Sequence, residues 1–331
     1  MGLRVLVVTN MYPTPEDPSY GAFVANQVHS LSRAGVDVVV EFVDGRHSVS
    51  AYLRAPLGIR RRVRARGFDV VHAHYGLTGF VAAFQPVPLV VTFHGDDLLG
   101  TPGTRGGVTL KSRLIRRLSY AAARRAVVPI CVSEAMRAAL PRAADRARAH
   151  VIPMGVDVGR FCAGDRTAAR TRLRLDRDER LVLFPNTPGE RRKRLELAEA
   201  SMRQLAADGM VARLWVVAGV AHDRMPDYFR AADCVLLTSD WEGSPMVVKE
   251  ALCCNVPVVS VNAGDVRRWL DATPGCRLVE RDPVAIAAGL RDVLCGSGHV
   301  NGSAVRSQVS VDRVAAQVLE VYREAIGRRP S

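Results

Sequence analysis

No apolar run in these 331 residues reaches the roughly 18 that a membrane-spanning helix needs. No strand-like run is followed by G-x-G-x-x-G, so a dinucleotide-dependent oxidoreductase is disfavoured. The seven cysteines contain no C-x-x-C, and their spacing supports neither a zinc site nor an even disulfide framework. They are expected to be buried free thiols, as in a reducing compartment. Aromatic residues make up 6% of the chain, and with no aromatic-rich strand or RNA-binding motif, nucleic acid is not an expected partner. The start, "MGLRVLVVTNMYP", has only about five apolar residues before polar ones and no cleavage-like site, so it is read as a first strand and not a signal peptide. A cytoplasmic protein is the expectation.

What is present is ordinary for a soluble fold: 48% hydrophobic and 24% charged residues argue against disorder. The length exceeds what one core usually serves, and two domains of about 150 residues follow. The net charge of +13 is uneven. Residues 1–160 hold 21 Lys and Arg against 11 Asp and Glu, and the remainder 25 against 22. A basic first half faces an anionic partner or is an Arg-rich solvated surface.

Apolar runs alternate with helical patterns throughout. The first set is "RVLVVTN" (4–10), "VDVVVEFV" (36–43), "DVVHAH" (69–74), "PLVVTFHG" (88–95), "AVVPICVS" (126–133) and "AHVIPM" (149–154). After a polar stretch the pattern restarts with "RLVLFPN" (180–186), "ARLWVVAG" (212–219), "DCVLLTS" (233–239), "VPVVSV" (256–261) and "CRLVE" (276–280). Continuous Val, Ile and Leu mark parallel strands covered on both faces. The expected fold is α/β: two Rossmann-like, doubly wound parallel-sheet domains facing a cleft, over 1–158 and 159–310. A last helix, 311–331, is expected to pack back toward the N-terminal domain through Val311, Val314, Ala315, Val318, Leu319 and Tyr322. Ligands in such domains sit at the carboxyl ends of the strands.

One such end reads "EGSPMVVKEAL" (242–252). Ser244 is a helix N-cap type and Pro245 is pre-set for the first helical position, so a helix start is expected there. Its first-turn amides, with Met246 and Val247, would receive an anion, and a diphosphate is the one expected. Glu250 can reach back to accept hydrogen bonds from a ribose diol, while Glu242 on the turn can meet what hangs from the distal phosphate. The bland alternative is a solvated helical carboxylate and a turn residue.

The stretch "SDWEGSPMVVKEALCCNVPVVSVNAGDV" resembles the signature of family-four retaining glycosyltransferases, which have the GT-B fold. It is nearest a subgroup acting in teichuronic-acid and capsule-type assembly. "NMYPTPEDPSYGAFVANQVHSL", "DVVHAH", "TFHGDD", "CVSEAMR" and "IPMGVD" followed by Phe161 stand in the family's order. The resemblance implies that Glu250 holds the ribose of a nucleotide diphosphate sugar and that Glu242 contacts the sugar. It puts the amides of Ser244 to Val247 around sugar and phosphate, Lys193 at the phosphate, His94 at the donor sugar and Gly21 beside the phosphates. Glu242, His94 and Lys193 are then the catalytic candidates. The family's Gly-Arg after the second domain's first strand is here Pro185-Asn186, and Arg191 or Arg192 can replace the missing arginine. The glycine pair after "PVVSV" is replaced by Gly264-Asp265. The base pocket is shortened; Val220, His222, Met225 and Pro226 are expected to border it or to form a simple turn and helix start.

The resemblance implies retaining transfer without a metal or other cofactor, although the carboxylates of "GDD" (95–97) and "DWE" (240–242) are of metal-binding type. Asp97 is expected to brace its loop or lie on the acceptor side. His72 and His74 are expected on opposite faces of their strand, with His74 toward the acceptor. "LKSRLIRRLSYAAARR" (110–125) and "RRRVRARG" (60–67) can lie on an anionic membrane and draw in a polyprenyl-diphosphate-linked acceptor, or be solvated. The leading expectation is a UDP- or GDP-sugar donor, a glycan or lipid-linked acceptor, and peripheral placement at the inner face of the membrane. A small-molecule acceptor and a nucleotide-sugar epimerase are the alternatives.

Overall fold

The computed structural model describes residues 2–17, 19–101, 109–186, 189–296 and 299–328; Pro18, within the "NMYPTPEDPSYGAF" motif, lies outside them. The chain divides into unit 1, Met1–Gly155 with Val311–Ser331, and unit 2, Val156–Ser310. The first crossing thus comes at 155/156, three residues before the expected 158/159.

Unit 1 is built on β1 (Arg4–Thr9), β2 (Asp37–Phe42), β3 (Val70–His74), β4 (Leu89–Phe93), β5 (Val128–Cys131) and β6 (His150–Val151). They form one parallel sheet in the order β2-β1-β3-β4-β5-β6. Unit 2 holds β7 (Leu181–Pro185), β8 (Arg213–Val217), β9 (Cys234–Leu237), β10 (Val258–Val261) and β11 (Arg277–Val279), in the parallel order β11-β10-β9-β7-β8. Each apolar run read from the sequence contains one of these strands. The uninterrupted apolar runs are the central ones: Val5 to Val8 of β1 and Cys234 to Leu237 of β9 are buried on both faces. At the edges, β2, β8 and β11 are partly exposed and carry charge, with Asp37 on Arg4, Glu41 on Arg62, Arg213 on Glu179 and Arg277 on Asp292. Charged edge positions discourage further strand pairing.

The last helix, Val311–Gly327, belongs to unit 1, where it packs on the helix Ala22–Arg33 and on β3, β4 and β5. It buries Val311, Val314, Ala315, Val318 and Tyr322, as its spacing suggested, together with Val321 and Ala325; Leu319 is only partly buried. All seven cysteines are free thiols; Cys131, Cys234, Cys253 and Cys254 are buried and Cys295 is exposed.

Candidate active site

In unit 2 the strand order reverses at β7, which pairs with β8 on one side and β9 on the other. Such reversal points open a crevice at the carboxyl ends of the strands. The two loops that leave it carry the chemistry. After β7 the chain reaches a single 3-10 turn, Arg191–Lys193, and after β9 it reaches the helix Met246–Cys253. Thr238 laces the loops together: its hydroxyl donates to the carbonyls of Lys193 at 2.7 Å and Arg194 at 3.1 Å, and the Asp240 amide donates to the Arg192 carbonyl at 2.9 Å.

This lacing delivers the two cations to Glu242. Its carboxylate, 9% exposed, accepts from Lys193 Nζ at 2.9 Å and Ser239 Oγ at 2.8 Å, and pairs with Arg192 Nη1 at 2.6 Å. Burial alone would raise the Glu242 pKa, but the charges of Lys193 and Arg192 outweigh it and hold the carboxyl below its usual range. Of the two arginines offered as the phosphate partner, Arg192 is the one turned to this cluster, while Arg191 is exposed. Around it, Arg194 pairs with Asp240 at 2.9 Å, and Arg281 donates to the carbonyls of Ser239 and Asp240 at 2.9 and 3.0 Å.

Glu250 lies in the second turn of the helix, 6% exposed, with Oε1 2.7 Å from His222 Nε2. Burial pulls the His222 pKa down, but the hydrogen bond and charge of Glu250 prevail and raise it above the usual value. Val220 and Met225 are partly buried against the unit 2 core, and Pro226 is buried at the start of the helix Met225–Ala231.

The helix start differs from expectation. Met246 is the first helical residue and Pro245, in extended conformation, occupies the cap position. Proline has no N–H, so the free amides of the first turn are those of Met246, Val247 and Val248. Ser244 does not cap them, because its hydroxyl donates to Asp265 Oδ2 at 2.8 Å and accepts from Lys249 Nζ at 3.1 Å. A capping oxygen accepts from a backbone amide, and here the Lys249 ammonium takes that accepting role. Lys249 is fully buried, and burial, opposed by Asp265 and Glu250, brings its pKa down to about 8. Gly264, next to Asp265, has φ +64°, and a Cβ there would stand 2.8 Å from the Glu242 carbonyl oxygen. The Gly264-Asp265 replacement thus packs on the Glu242 loop.

Unit 1 reverses its strand order between β1 and β3, and its candidate residues follow β1, β3 and β4. Gly21 precedes the helix Ala22–Arg33 with φ +70°. A Cβ at Gly21 would lie 2.3 Å from the Met11 carbonyl carbon, so packing of its own loop already requires glycine. His74 Nδ1 is 3.1 Å from His94 Nε2, with the rings stacked at 5.3 Å. Asp97 is fully buried and accepts from the amides of Gly95 at 2.9 Å, Gly76 at 3.1 Å and His94 at 3.2 Å. Burial, opposed by those amides, pushes its pKa up to about 6. Its carboxylate ties the β3 and β4 loops together.

His72 and His74 do not face opposite sides of β3. Residues two apart in a strand share a face, and the two rings lie 4.4 Å apart. His72 is buried with Nδ1 2.7 Å from the Tyr322 hydroxyl and Nε2 2.7 Å from Thr92 Oγ1. Burial lowers both histidine pKa values, that of His74 to about 3, and both are neutral at pH 7.

Sequence reasoning missed Ser239, Arg281 and the pairing of Asp240 with Arg194 around Glu242, and Lys249. The first two stand just after β9 and β11, where position alone could have flagged them. Lys249 was visible as a lysine on the apolar side of "MVVKEAL". Among the described residues no group of His, Cys, Asp or Glu is arranged to hold a metal ion, and no helix is long and apolar enough to cross a membrane.

Residues 1–160 match the model of Glycosyltransferase Family 4, and 168–295 match that of Glycosyl transferases group 1. A D-inositol 3-phosphate glycosyltransferase of Xylanimonas cellulosilytica is 32% identical, covering 80% of this chain and 74% of the relative. TuaC of Bacillus subtilis, assigned to teichuronic acid biosynthesis, is 26% identical over 80% of this chain and 82% of its own. In structure the chain is similar to sucrose-phosphate synthase from Thermosynechococcus elongatus, with a TM-score of 0.80 at 17% identity over 98% and 100% of the two chains. It is also similar to Anabaena HepE in complex with UDP-glucose, with a TM-score of 0.70 at 18% identity over 96% and 99%. The chain has the GT-B fold of two Rossmann-like units, belongs to glycosyltransferase family four, and is a glycosyltransferase.

Proposed function

We propose that the enzyme transfers a sugar, with retention of anomeric configuration, from a UDP- or GDP-sugar to a hydroxyl of a glycan or lipid-linked glycan in cell-surface polysaccharide assembly. The observation that carries this reading is the Glu242, Lys193 and Arg192 cluster in front of a helix N-terminus, with Glu250 one turn behind. A diphosphate fits the two cations and the amides of Met246 and Val247, and a ribose fits Glu250. Without donor, Glu242 neutralises the cations; with donor, the diphosphate does so and Glu242 is available to the sugar. As the bond from the anomeric carbon to the phosphate oxygen breaks, Lys193 and Arg192 stabilise the departing charge, so no metal is required of the mechanism. The acceptor oxygen bonds to that carbon from the leaving-group side, and its proton passes to a phosphate oxygen. The His74 and His94 pair of unit 1, in which burial keeps His74 neutral, is assigned to hydroxyl recognition. HepE, which holds UDP-glucose, supports the donor class.

The lipid-linked acceptor reading draws on the surface of unit 1. The helix Val49–Arg66 turns Val49, Leu53 (80% exposed) and Leu57 outward beside Arg54, Arg60, Arg61 and Arg64. The helix Leu110–Arg125 buries Ser112, Ser119, Ala122 and Ala123, leaving Leu110 (81% exposed) and Leu114 outside with Arg113 and Arg117. Apolar stripes flanked by arginine suit an anionic lipid surface. The D-inositol 3-phosphate relative favours a second reading, a small acceptor.

Calorimetry and thermal shift with UDP, GDP, ADP and their sugars test the donor. Glu250→Gln is expected to weaken nucleotide binding roughly tenfold or more, the loss of a charge-assisted hydrogen bond. Glu242→Ala is expected to lower turnover more than affinity; unchanged turnover counts against its role. Salt-sensitive binding to phosphatidylglycerol vesicles supports the lipid-linked acceptor, and none supports the small one.

A further inference from the structure

Behind Glu250 stands a column of rings. Phe229 is buried in the unit 2 core, and Phe161 packs edge-on against it with centroids 5.9 Å apart. The His222 ring rests on Phe161 at 5.0 Å and aims Nε2 at Glu250 Oε1, 2.7 Å away. Glu250 Oε2 takes no hydrogen bond among the described residues. Phe161 lies in the segment that follows the crossing into unit 2, and His222 in the single turn His222–Arg224, so neither shares an element with Glu250.

We infer that His222 is a positioning residue for nucleotide binding: backed by Phe161, it holds Glu250 by one carboxylate oxygen and leaves the other for the ribose of a nucleoside diphosphate. This rests on the donor reading above and deepens it. A carboxylate on a three-bond side chain loses rotamer freedom when it binds a diol, and a partner that has already fixed it removes that cost from binding. The Nε2 must carry a hydrogen to donate, whether the ring is neutral or protonated. The charged groups around the ring are Glu250 from the helix Met246–Cys253, Arg160 from the segment preceding Phe161, and Asp223 on its own turn. Glu250 outweighs burial, so the imidazole stays protonated above its usual range.

The role is separable from the bulk of the fold by a double-mutant cycle read as UDP and GDP dissociation constants. His222→Ala is expected to weaken binding roughly tenfold in the parent and less than twofold in the Glu250→Gln background, with kcat at saturating donor little changed. His222→Gln, which keeps a donor but does not titrate, is expected to restore most of the affinity. The ratio of parent to His222→Gln affinity is expected to inflect above pH 6.5, the ordinary histidine value. Equal weakening by His222→Ala in both backgrounds overturns the inference, since it marks a structural role, and so does His222→Ala binding as tightly as the parent. A parent that binds none of UDP, GDP and ADP overturns the donor reading itself, and this inference with it.

Discussion

The two units share an architecture and put polar residues at the same kind of place, yet they treat charge oppositely. In unit 1 desolvation prevails: His72 and His74 are kept neutral, and Asp97 is raised to about 6 although three backbone amides face it. In unit 2 opposite charges prevail: Glu242 is held ionised by Lys193 and Arg192, and His222 is raised by Glu250. The difference lies in the loop after β7, which supplies two cations to the loop after β9. On the proposed reading, unit 2 exchanges one anion for another, and unit 1 presents neutral hydrogen-bonding groups. Lys249 and Asp265 are exceptions within unit 2: burial lowers the pKa of the one and raises that of the other, and their mutual attraction offsets this only in part.

The largest effect that could break this contrast is in unit 2. Lys193→Ala should lower kcat by roughly 10² to 10³, the loss seen when one preorganised donor to a developing charge is removed. It should also destabilise unit 2 by about 3 kcal/mol, because Glu242 is left half-neutralised. A turnover loss no greater than that of His74→Ala, in the same steady-state assay, would erase the distinction.

Unit 1 should show the opposite pH behaviour. Asp97 has its folded pKa raised from 3.8 to about 6, so its contribution to stability is present below 3.8 and lost as pH rises through about 6. Glu242, depressed, contributes above its unfolded value and loses that contribution as pH falls. Asp97→Asn should therefore cost more at pH 4 than at pH 7, by up to about 3 kcal/mol, read from denaturant midpoints at both values. A gap that widens with rising pH would reverse the assignment. The smallest effect is Tyr322→Phe, which removes one neutral hydrogen bond to His72 and should cost about 1 kcal/mol with donor affinity unchanged.

Part of this was open to reading before any coordinates. The Val- and Leu-rich runs announce buried parallel strands because only those need no polar face, and Glu242 and Glu250 stand where a strand end and the following helix put them. Ser244 was misjudged since a cap was the only partner visible in sequence, while in the fold its hydroxyl accepts from the buried Lys249 ammonium and donates to Asp265, 21 residues on. For His72 and His74 the period of two was enough to place them together; their partners Tyr322 and Thr92 were not visible.

The linear chain determined the element types, the two-unit plan and the carboxylates at the carboxyl ends of strands, because hydrophobic periodicity and chain geometry are local. The tertiary structure decided which charges meet: Lys193 with Glu242 across 49 residues, and His222 with Glu250 across 28. Electrostatic pairing depends on distance and burial in space, and those are settled only when the loops pack.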